Sequence, residues 1–272
     1  ESTQLAVLTT SPIGESITWT SEANGVTGVS ASGTNEIPVQ TLVNTTGKQV
    51  KVVYTALIPN SSQGNCNVVP AKYTITVNPE PSYVDDKLTI CSEEVFDFKP
   101  GGIVSGSKFT WTVNSPAGIT GASNSTQEEG SVKQQLSNST NGPLNVTYTV
   151  TPAIGNCKGD DFTLVVTVQP APSITFSQTD QNLCTGSDSK EVKFTSDVLG
   201  ATFTWTANPK GVQGVTTSGT NAVIPVQSLI NPTSAPITIE YKVNVKTSSG
   251  GTCSGVPKTY RITVNPSIAV KE

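Results

Sequence analysis

The sequence repeats itself three times, and this repetition constrains the fold more than any other feature. Ile-Thr-Trp-Thr at residues 17–20 returns as Phe-Thr-Trp-Thr at residues 109–112 and again at residues 203–206. The three tryptophans of the chain lie 92 and 94 residues apart. Each copy closes with Ile/Val-Thr-Val-Asn/Gln-Pro, at residues 75–79, 166–170 and 262–266. Motifs that recur at one period indicate tandem copies of one structural unit. We therefore predict three domains, at residues 1–80, 81–171 and 172–272.

Apolar and polar residues alternate within each copy. Along residues 237–245, Ile, Ile, Tyr, Val and Val occupy every second position, between Thr, Glu, Lys and Asn. A period of two is typical of a strand with one buried face, and no stretch shows a sustained helical period. About seven such strands in a copy of about 92 residues predict an immunoglobulin-like β-sandwich. The predicted fold class is all-β, with three tandem sandwiches in an elongated array, the first of them truncated at its N-terminus.

Six aromatic residues recur at matched positions, and the alternation points their side chains inwards. We predict that they form the repeat cores; the alternative for the tryptophans is a sugar-stacking platform on the surface. These residues are Trp19, Trp111, Trp205, Tyr54, Tyr148 and Tyr241. Each tryptophan is followed by a Gly-x-x-Gly turn, at Gly25/Gly28, Gly118/Gly121 and Gly211/Gly214.

The boundaries between copies carry proline. Asn-Pro-Glu-Pro-Ser at residues 78–82 and Gln-Pro-Ala-Pro-Ser at residues 169–173 are short links. Proline fixes φ and favours an extended spacer, so neighbouring domains are expected to sit end to end. Sandwiches of roughly 35–40 Å, built from strands of about eight residues, would then make a rod of roughly 100–120 Å.

Five cysteines occur at positions that recur from copy to copy, without any Cys-x-x-Cys pair. This pattern predicts disulfides in an oxidising compartment rather than metal or redox sites. Copies two and three each hold an early cysteine near the first strand and a late one between the last two strands. We expect both to lie at the same end of one sandwich, which predicts the bonds Cys91–Cys157 and Cys184–Cys253. Copy one holds only Cys66, which is then free in this fragment, and its partner is expected one or two residues ahead of the first residue.

Composition excludes several kinds of site. The chain has no His, which removes imidazole acid–base chemistry and histidine metal ligands. The net charge is −4 and Arg261 is the one arginine, so a basic footprint for nucleic acid is missing. No apolar run approaches the roughly 20 residues of a membrane helix. We predict no catalytic residue, no enzyme activity, no nucleic-acid partner, no membrane span in this fragment, and a monomer.

Neighbouring carboxylates form four pairs, at Asp85/Asp86, Glu93/Glu94, Glu128/Glu129 and Asp160/Asp161. Adjacent residues of a strand point to opposite faces, so these pairs do not suit glycoside hydrolysis and predict solvated loops. Calcium is the sharper alternative, because Asp85, Asp86 and Asp180 follow the links, where an ion would stiffen a junction. No Asp-x-Asp-x-Asp-Gly loop occurs. The prediction is no cofactor, with calcium at the junctions left open.

The second copy carries motifs that resemble a known family. Ile-Cys-Ser, Phe-Thr-Trp-Thr-Val, Val-Thr-Tyr-Thr-Val-Thr-Pro and Gly-Asn-Cys-Lys-Gly, all within residues 90–172, look like the PKD-like repeat of giant surface proteins of Bacteroidota. Trp111 is followed by Thr-Val-Asn-Ser-Pro and not by the Gly-Asp-Gly of PKD domains proper, which removes the expectation of a polar site there. The resemblance implies type IX secretion, a place on the bacterial cell surface, and adhesion; it identifies no ligand-binding residue.

The repeats, the links and the resemblance together predict a function. We expect a non-catalytic, extracellular stalk segment of a bacterial surface adhesin, for gliding motility or attachment, whose parent protein contacts a surface or a polysaccharide. Two alternatives stay open. In the first alternative, the segment is a spacer array of a secreted enzyme that degrades polysaccharide or protein. In the second, it is a carbohydrate-binding module.

Overall fold

The computed structural model describes residues 2–9, 14–58, 69–101, 104–247 and 252–268. These residues contain strands and no helix, and hence no helix long and apolar enough to span a membrane. They build three β-sandwiches in tandem, each around its own hydrophobic cluster. The predicted all-β class with three immunoglobulin-like domains is confirmed.

Twenty-five strands are distributed over the three repeats among the described residues. Repeat 1 contains β1 (Ala6–Val7), β2 (Thr18–Glu22), β3 (Val26–Thr27), β4 (Ser32–Thr34), β5 (Glu36–Ile37), β6 (Val43–Asn44), β7 (Val50–Leu57) and β8 (Ala71–Val77). Repeat 2 contains β9 (Asp86–Cys91), β10 (Val95–Phe98), β11 (Lys108–Asn114), β12 (Ile119–Thr120), β13 (Val132–Gln135), β14 (Ser137–Asn138), β15 (Leu144–Ile154), β16 (Cys157–Lys158) and β17 (Phe162–Gln169). Repeat 3 contains β18 (Thr175–Phe176), β19 (Gln181–Cys184), β20 (Val192–Thr195), β21 (Thr202–Asn208), β22 (Ser218–Gly219), β23 (Val223–Ile224), β24 (Ile237–Lys246) and β25 (Lys258–Asn265).

The larger sheet of each repeat is built on a central antiparallel hairpin. Its strand order is β4-β2-β7-β8 in repeat 1, β11-β15-β17-β9 in repeat 2 and β22-β21-β24-β25-β19 in repeat 3. In repeats 2 and 3 the first strand of this sheet runs parallel to the last, with Cys91 opposite Gln169 and Cys184 opposite Asn265. The first strand therefore ends where the last strand ends, at the end of the sandwich that leads to the next repeat.

The smaller sheets complete the cores. β1 pairs with β5 and β3 with β6 in repeat 1, and β10 pairs with β13 and β12 with β14 in repeat 2. In repeat 3, β20 joins β18 and β23. The alternation seen in the sequence is the burial pattern of the strands: Ile239, Tyr241 and Val243 are fully buried, while Glu240 and Lys242 between them are exposed. Burial of such branched and aromatic side chains is the main stabilising contribution to each sandwich.

The second glycine of each Gly-x-x-Gly turn lies against the backbone of the neighbouring segment that pairs with the turn. Gly214 has a φ of +80°, and a Cβ added there would lie 2.1 Å from the carbonyl oxygen of Ser228. Gly211, three residues earlier, has a φ of +94° but faces open space. The two glycines share the left-handed conformation and differ in the room for a side chain.

Gly214→Ala is therefore expected to destabilise repeat 3 by about 2–4 kcal/mol, since it adds a backbone clash to the conformational strain. Gly211→Ala is the matched control and is expected to cost only the strain, about 1–2 kcal/mol. Urea unfolding followed by hydrogen exchange in peptides of repeat 3 measures both losses. Equal losses for the two variants would contradict the close approach at Gly214.

Candidate functional site

The junction between repeats 2 and 3 is closed by a disulfide between Cys91 and Cys253. The bond joins residues 162 positions apart, with a Cα–Cα distance of 5.5 Å. Cys91 ends β9 of repeat 2, and Cys253 belongs to the turn that follows β24 of repeat 3. The two sulfurs thus connect the first strand of one repeat to the last hairpin of the next.

Hydrogen bonds hold the turn of Cys253 against β24. Thr247 N donates to Cys253 O at 2.9 Å, and Gly255 N donates to Val245 O at 3.0 Å. Cys253 itself is 1% exposed. The cysteine that reaches across the junction is therefore fixed by the backbone of its own repeat.

Each proline link packs against a turn of the following repeat. In repeat 3 this is the turn of Cys253, and in repeat 2 it is the equivalent turn. Pro81 and Pro172 are buried. A Cβ on Gly255 would lie 1.8 Å from the carbonyl oxygen of Pro172, and a Cβ on Gly159 would lie 1.7 Å from that of Pro81. The two junctions are therefore built alike, and both need glycine for the close backbone contact.

A carboxylate secures the second link. Ser173 N donates to Asp197 Oδ1 at 3.0 Å. This hydrogen bond holds the pKa of Asp197 below its usual value, because the amide stabilises the ionised carboxylate. Repeat 3 thus contacts the link through the exposed side chain of Asp197 as well as through the turn of Cys253.

The predicted pair Cys91–Cys157 is wrong, because its members lie at opposite ends of repeat 2. Cys91 lies opposite Gln169, at the end of β17. Cys157 lies opposite Ile154, at the far end of β15, whose first residue Leu144 pairs near the end of β17. Ten residues of strand separate these ends by about 33 Å. A disulfide requires Cα atoms within about 7 Å.

The predicted pair Cys184–Cys253 is wrong for the same reason. Cys184 lies opposite Asn265, at the end of β25, whereas Cys253 follows Lys246, at the other end of the sheet. Nor does a bond between repeats require them to fold back on each other, because the turn of Cys253 faces the preceding repeat. Cys157, half-buried, and Cys184, exposed, carry free thiols. Cys66 lies outside the described residues.

The six aromatic residues predicted for the cores lie in them. Trp19, Trp111, Trp205, Tyr54, Tyr148 and Tyr241 are all buried. Trp19 packs edge-to-face against Tyr54 with ring centroids 5.6 Å apart, and Trp205 packs at a tilt against Tyr241 at 5.8 Å. In repeat 2 the ring nearest Tyr148 is Phe96, at 5.9 Å. The tryptophans form no surface platform for sugar.

Two polar motifs of the core were missed from the sequence. Tyr54, Tyr148 and Tyr241 each donate a hydrogen bond to a glutamine 14 residues earlier, namely Gln40, Gln134 and Gln227. A buried asparagine in each repeat also donates a hydrogen bond to a carbonyl of the last strand; these are Asn44, Asn138 and Asn231. In repeat 2, Nδ2 of Asn138 donates to the carbonyls of Gly142 and Val168, both at 2.8 Å. The signal was the matched glutamine and asparagine themselves, four residues apart in every copy.

The carboxylates considered for calcium accept backbone hydrogen bonds. Asp85 accepts from Thr163 N at 2.6 Å, and Asp180 accepts from Arg261 N at 2.9 Å. Asp86 accepts from the amide of the next residue at 2.7 Å. Within the described ranges, no three Asp, Glu, Cys or His side chains meet as a metal site. Calcium at the junctions stays a prediction that only a binding measurement addresses.

The buried tyrosines make stability depend on alkaline pH. Desolvation raises the pKa of Tyr148 above its usual value near 10. Above pH 10 the unfolded chain ionises this phenol while the folded chain keeps it protonated, so unfolding releases a proton. The stabilisation is thus complete below pH 10 and is lost as the pH rises, by up to about 1.4 kcal/mol per pH unit for one tyrosine.

We expect repeat 2 to lose stability between pH 10 and 11.5, measured by urea unfolding with repeat-resolved hydrogen exchange. Tyr148→Phe is the control, since it removes the ionising group and keeps the ring. The slope of its stability against pH should be smaller by the contribution of one proton. An unchanged slope in Tyr148→Phe would contradict the raised pKa.

The chain is similar to known proteins both in sequence and in structure. A family model described as a PKD-like domain matches residues 2–81, 88–172 and 181–268. No curated protein matches the sequence. Among solved structures, the chain is similar to fragment I67–I69 of the titin I-band, with 13% identity, 98% of this chain and 93% of that chain covered, and a TM-score of 0.32.

The chain is also similar to two further solved structures of tandem domains. Cadherin domains 1–5 of protocadherin gamma B2 are 11% identical, with 91% of this chain and 52% of that chain covered and a TM-score of 0.33. Immunoglobulin domains 1–5 of sidekick-1 are 13% identical, with 92% and 52% covered and a TM-score of 0.31. The chain spans about half the length of these two fragments.

Proposed function

The chain belongs to the PKD-like domain family, and from this premise we propose that it is a non-catalytic stalk segment of a bacterial surface adhesin. Tandem domains of this kind are typical extracellular adhesion or spacer modules. Within that class, the proposal assigns the chain to the shaft that carries a binding region away from the cell. We further propose that the parent protein is similar to SprB, the gliding-motility adhesin that the repeat sequence resembles.

The bond between Cys91 and Cys253 is the observation that carries the proposal. A catalytic or sugar-binding module needs no cross-link to its neighbour beyond the polypeptide itself, whereas a shaft under load gains from a second covalent connection between domains. The disulfide is such a second connection between repeats 2 and 3, and the packed links at Pro81 and Pro172 restrict bending. A stable disulfide also suits an oxidising location outside the cell.

A replacement experiment in cells that display the parent protein tests the proposal. Residues 82–265 are exchanged for unrelated immunoglobulin domains of equal length, joined by stiff links. If the segment is a shaft, attachment or gliding is retained within about two-fold at equal surface amounts. A flexible Gly/Ser segment with the same number of residues is the control and is expected to reduce attachment.

Two outcomes would contradict the stalk. Loss of attachment with the stiff replacement, at unchanged surface amounts, would mean that the segment itself binds a ligand. Binding of the isolated segment on a glycan array would assign that ligand to carbohydrate. Antibodies against the segment must also label intact cells, since a stalk stands outside the outer membrane.

A further inference from the structure

Among its described residues, repeat 1 has an open groove where repeats 2 and 3 carry a strand. β9 runs beside β17, and β19 beside β25, as the parallel edge strand of the sheet. β8 is their counterpart in repeat 1 and pairs only with β7 among the described residues. The free edge of β8 therefore offers unpaired backbone groups for one more strand.

The side chains at this edge lack a cover that their counterparts have. Ile75 and Val77 are partly exposed, while the residues at the same positions of the other repeats are fully buried, namely Val166, Val168, Ile262 and Val264. Tyr73 is 48% exposed and its counterpart Tyr260 is 0% exposed. The groove beside these residues has a volume of about 260 Å³. Leu42, Ile75 and Val77 form an apolar patch within a lining that is otherwise polar.

A free thiol lies at the end of the groove. Cys157 and Asn78 line it together. Cys157 occupies in repeat 2 the place of Cys253 in repeat 3, in the turn that faces the preceding repeat. Asn78 is the counterpart of Gln169, which lies opposite Cys91. A cysteine opposite Asn78 would therefore have the same position relative to Cys157 as Cys91 has relative to Cys253.

We propose that the groove binds a β-strand that ends in cysteine, parallel to β8, and that its thiol forms a disulfide with Cys157. Ser2 identifies the source of this strand. Ser2 forms a β-bridge with Thr41 in repeat 1, and Asp188 forms the equivalent β-bridge with Ser228 in repeat 3. Cys184 precedes Asp188 by four residues. The occupant is the stretch of polypeptide that leads into Ser2 in the parent protein. The inference does not rest on the proposed adhesin role.

The consequence is a ladder of bonds along the array. The cysteine at the end of the first strand of one repeat joins the hairpin cysteine of the next, as Cys91 joins Cys253. Each bond forms from two thiols, which give two protons and two electrons to an oxidant such as a small-molecule disulfide.

A peptide tests the groove directly. Its sequence is Asp-Asp-Lys-Leu-Thr-Ile-Cys-Ser, copied from residues 85–92, with its cysteine carried as a mixed disulfide with thionitrobenzoate. The thiolate of Cys157 attacks the peptide sulfur, and thionitrobenzoate leaves with the electron pair. The 272-residue chain with its Cys91–Cys253 bond intact is the substrate, and the coloured leaving group reports the rate.

We expect the peptide to label Cys157 at least ten-fold faster than a peptide of the same residues in scrambled order. Cys157→Ser should abolish this fast phase, and Cys184→Ser should leave it unchanged. Bound peptide should also protect the backbone amides of residues 75–78 from hydrogen exchange. Equal rates for the two peptides, labelling of Cys184 or Cys253 in place of Cys157, or labelling without protection of β8 would each overturn the proposal.

Discussion

When the oxidised protein is pulled from its two ends, residues between Cys91 and Cys253 are expected to stay out of the load path. The load runs through repeat 1 and along β9 to Cys91, crosses the sulfur–sulfur bond, and leaves along β25. Reduction should add the length of the 162-residue separation, about 540–580 Å when fully extended. Single-molecule force spectroscopy before and after reduction measures this hidden length.

Matched variants make the pulling experiment specific. Cys253→Ser should show the long extension without reductant, whereas Cys157→Ser and Cys184→Ser should behave like the oxidised parent. Extension of all three repeats in the oxidised parent would contradict the bond between repeats. So would an extra length near that of a single repeat, because it would place each bond within one domain.

Loss of the same bond is also expected to produce the largest change in stability. In the chain-entropy model, a cross-link over 162 residues stabilises the folded state by about 5 kcal/mol, less any strain. Cys253→Ser should therefore lower the summed free energy of unfolding of repeats 2 and 3 by up to this amount. A typical domain has 5–15 kcal/mol in total, so the loss is large.

Calorimetry together with repeat-resolved hydrogen exchange measures the loss. Repeat 1 lies outside the cross-linked loop and is expected to keep its stability in Cys253→Ser. Cys184→Ser is the control, because its exposed thiol has no bond to lose. Equal stability of Cys253→Ser and the parent, or a loss confined to repeat 3, would contradict a cross-link that closes both repeats in one loop.

The strands and cores could be predicted from the sequence, because apolar residues at every second position indicate which side chains lie on the same face of a strand. The alternation with its neighbours two residues away predicts a core position for Tyr241, and Tyr241 lies in the core. Because Tyr54 and Tyr148 occupy matched positions in the other two repeats, the same prediction applies to them. The polar contacts of the core did not follow in the same way. Asn138 was visible as a matched residue, but its bonds to Gly142 and Val168 depend on how the two sheets close.

The disulfide partners could not be predicted because alternation says nothing about the ends of a sheet. The sequence predicts Cys91 at the first strand and Cys157 at the hairpin, and both lie there. Which ends they occupy depends on the parallel pairing of β9 with β17, a contact between segments more than 70 residues apart in the sequence. That pairing sends Cys91 towards the next repeat and leaves Cys157 facing the preceding one.

Peptide mapping without reduction tests the bond between repeats most directly. Trypsin places each cysteine on its own peptide, with Cys91 on residues 88–108, Cys157 on residues 134–158, Cys184 on residues 159–190 and Cys253 on residues 247–258. We expect one cross-linked species that joins residues 88–108 to residues 247–258 and separates on reduction. A species that joins residues 88–108 to residues 134–158, or residues 159–190 to residues 247–258, would contradict it.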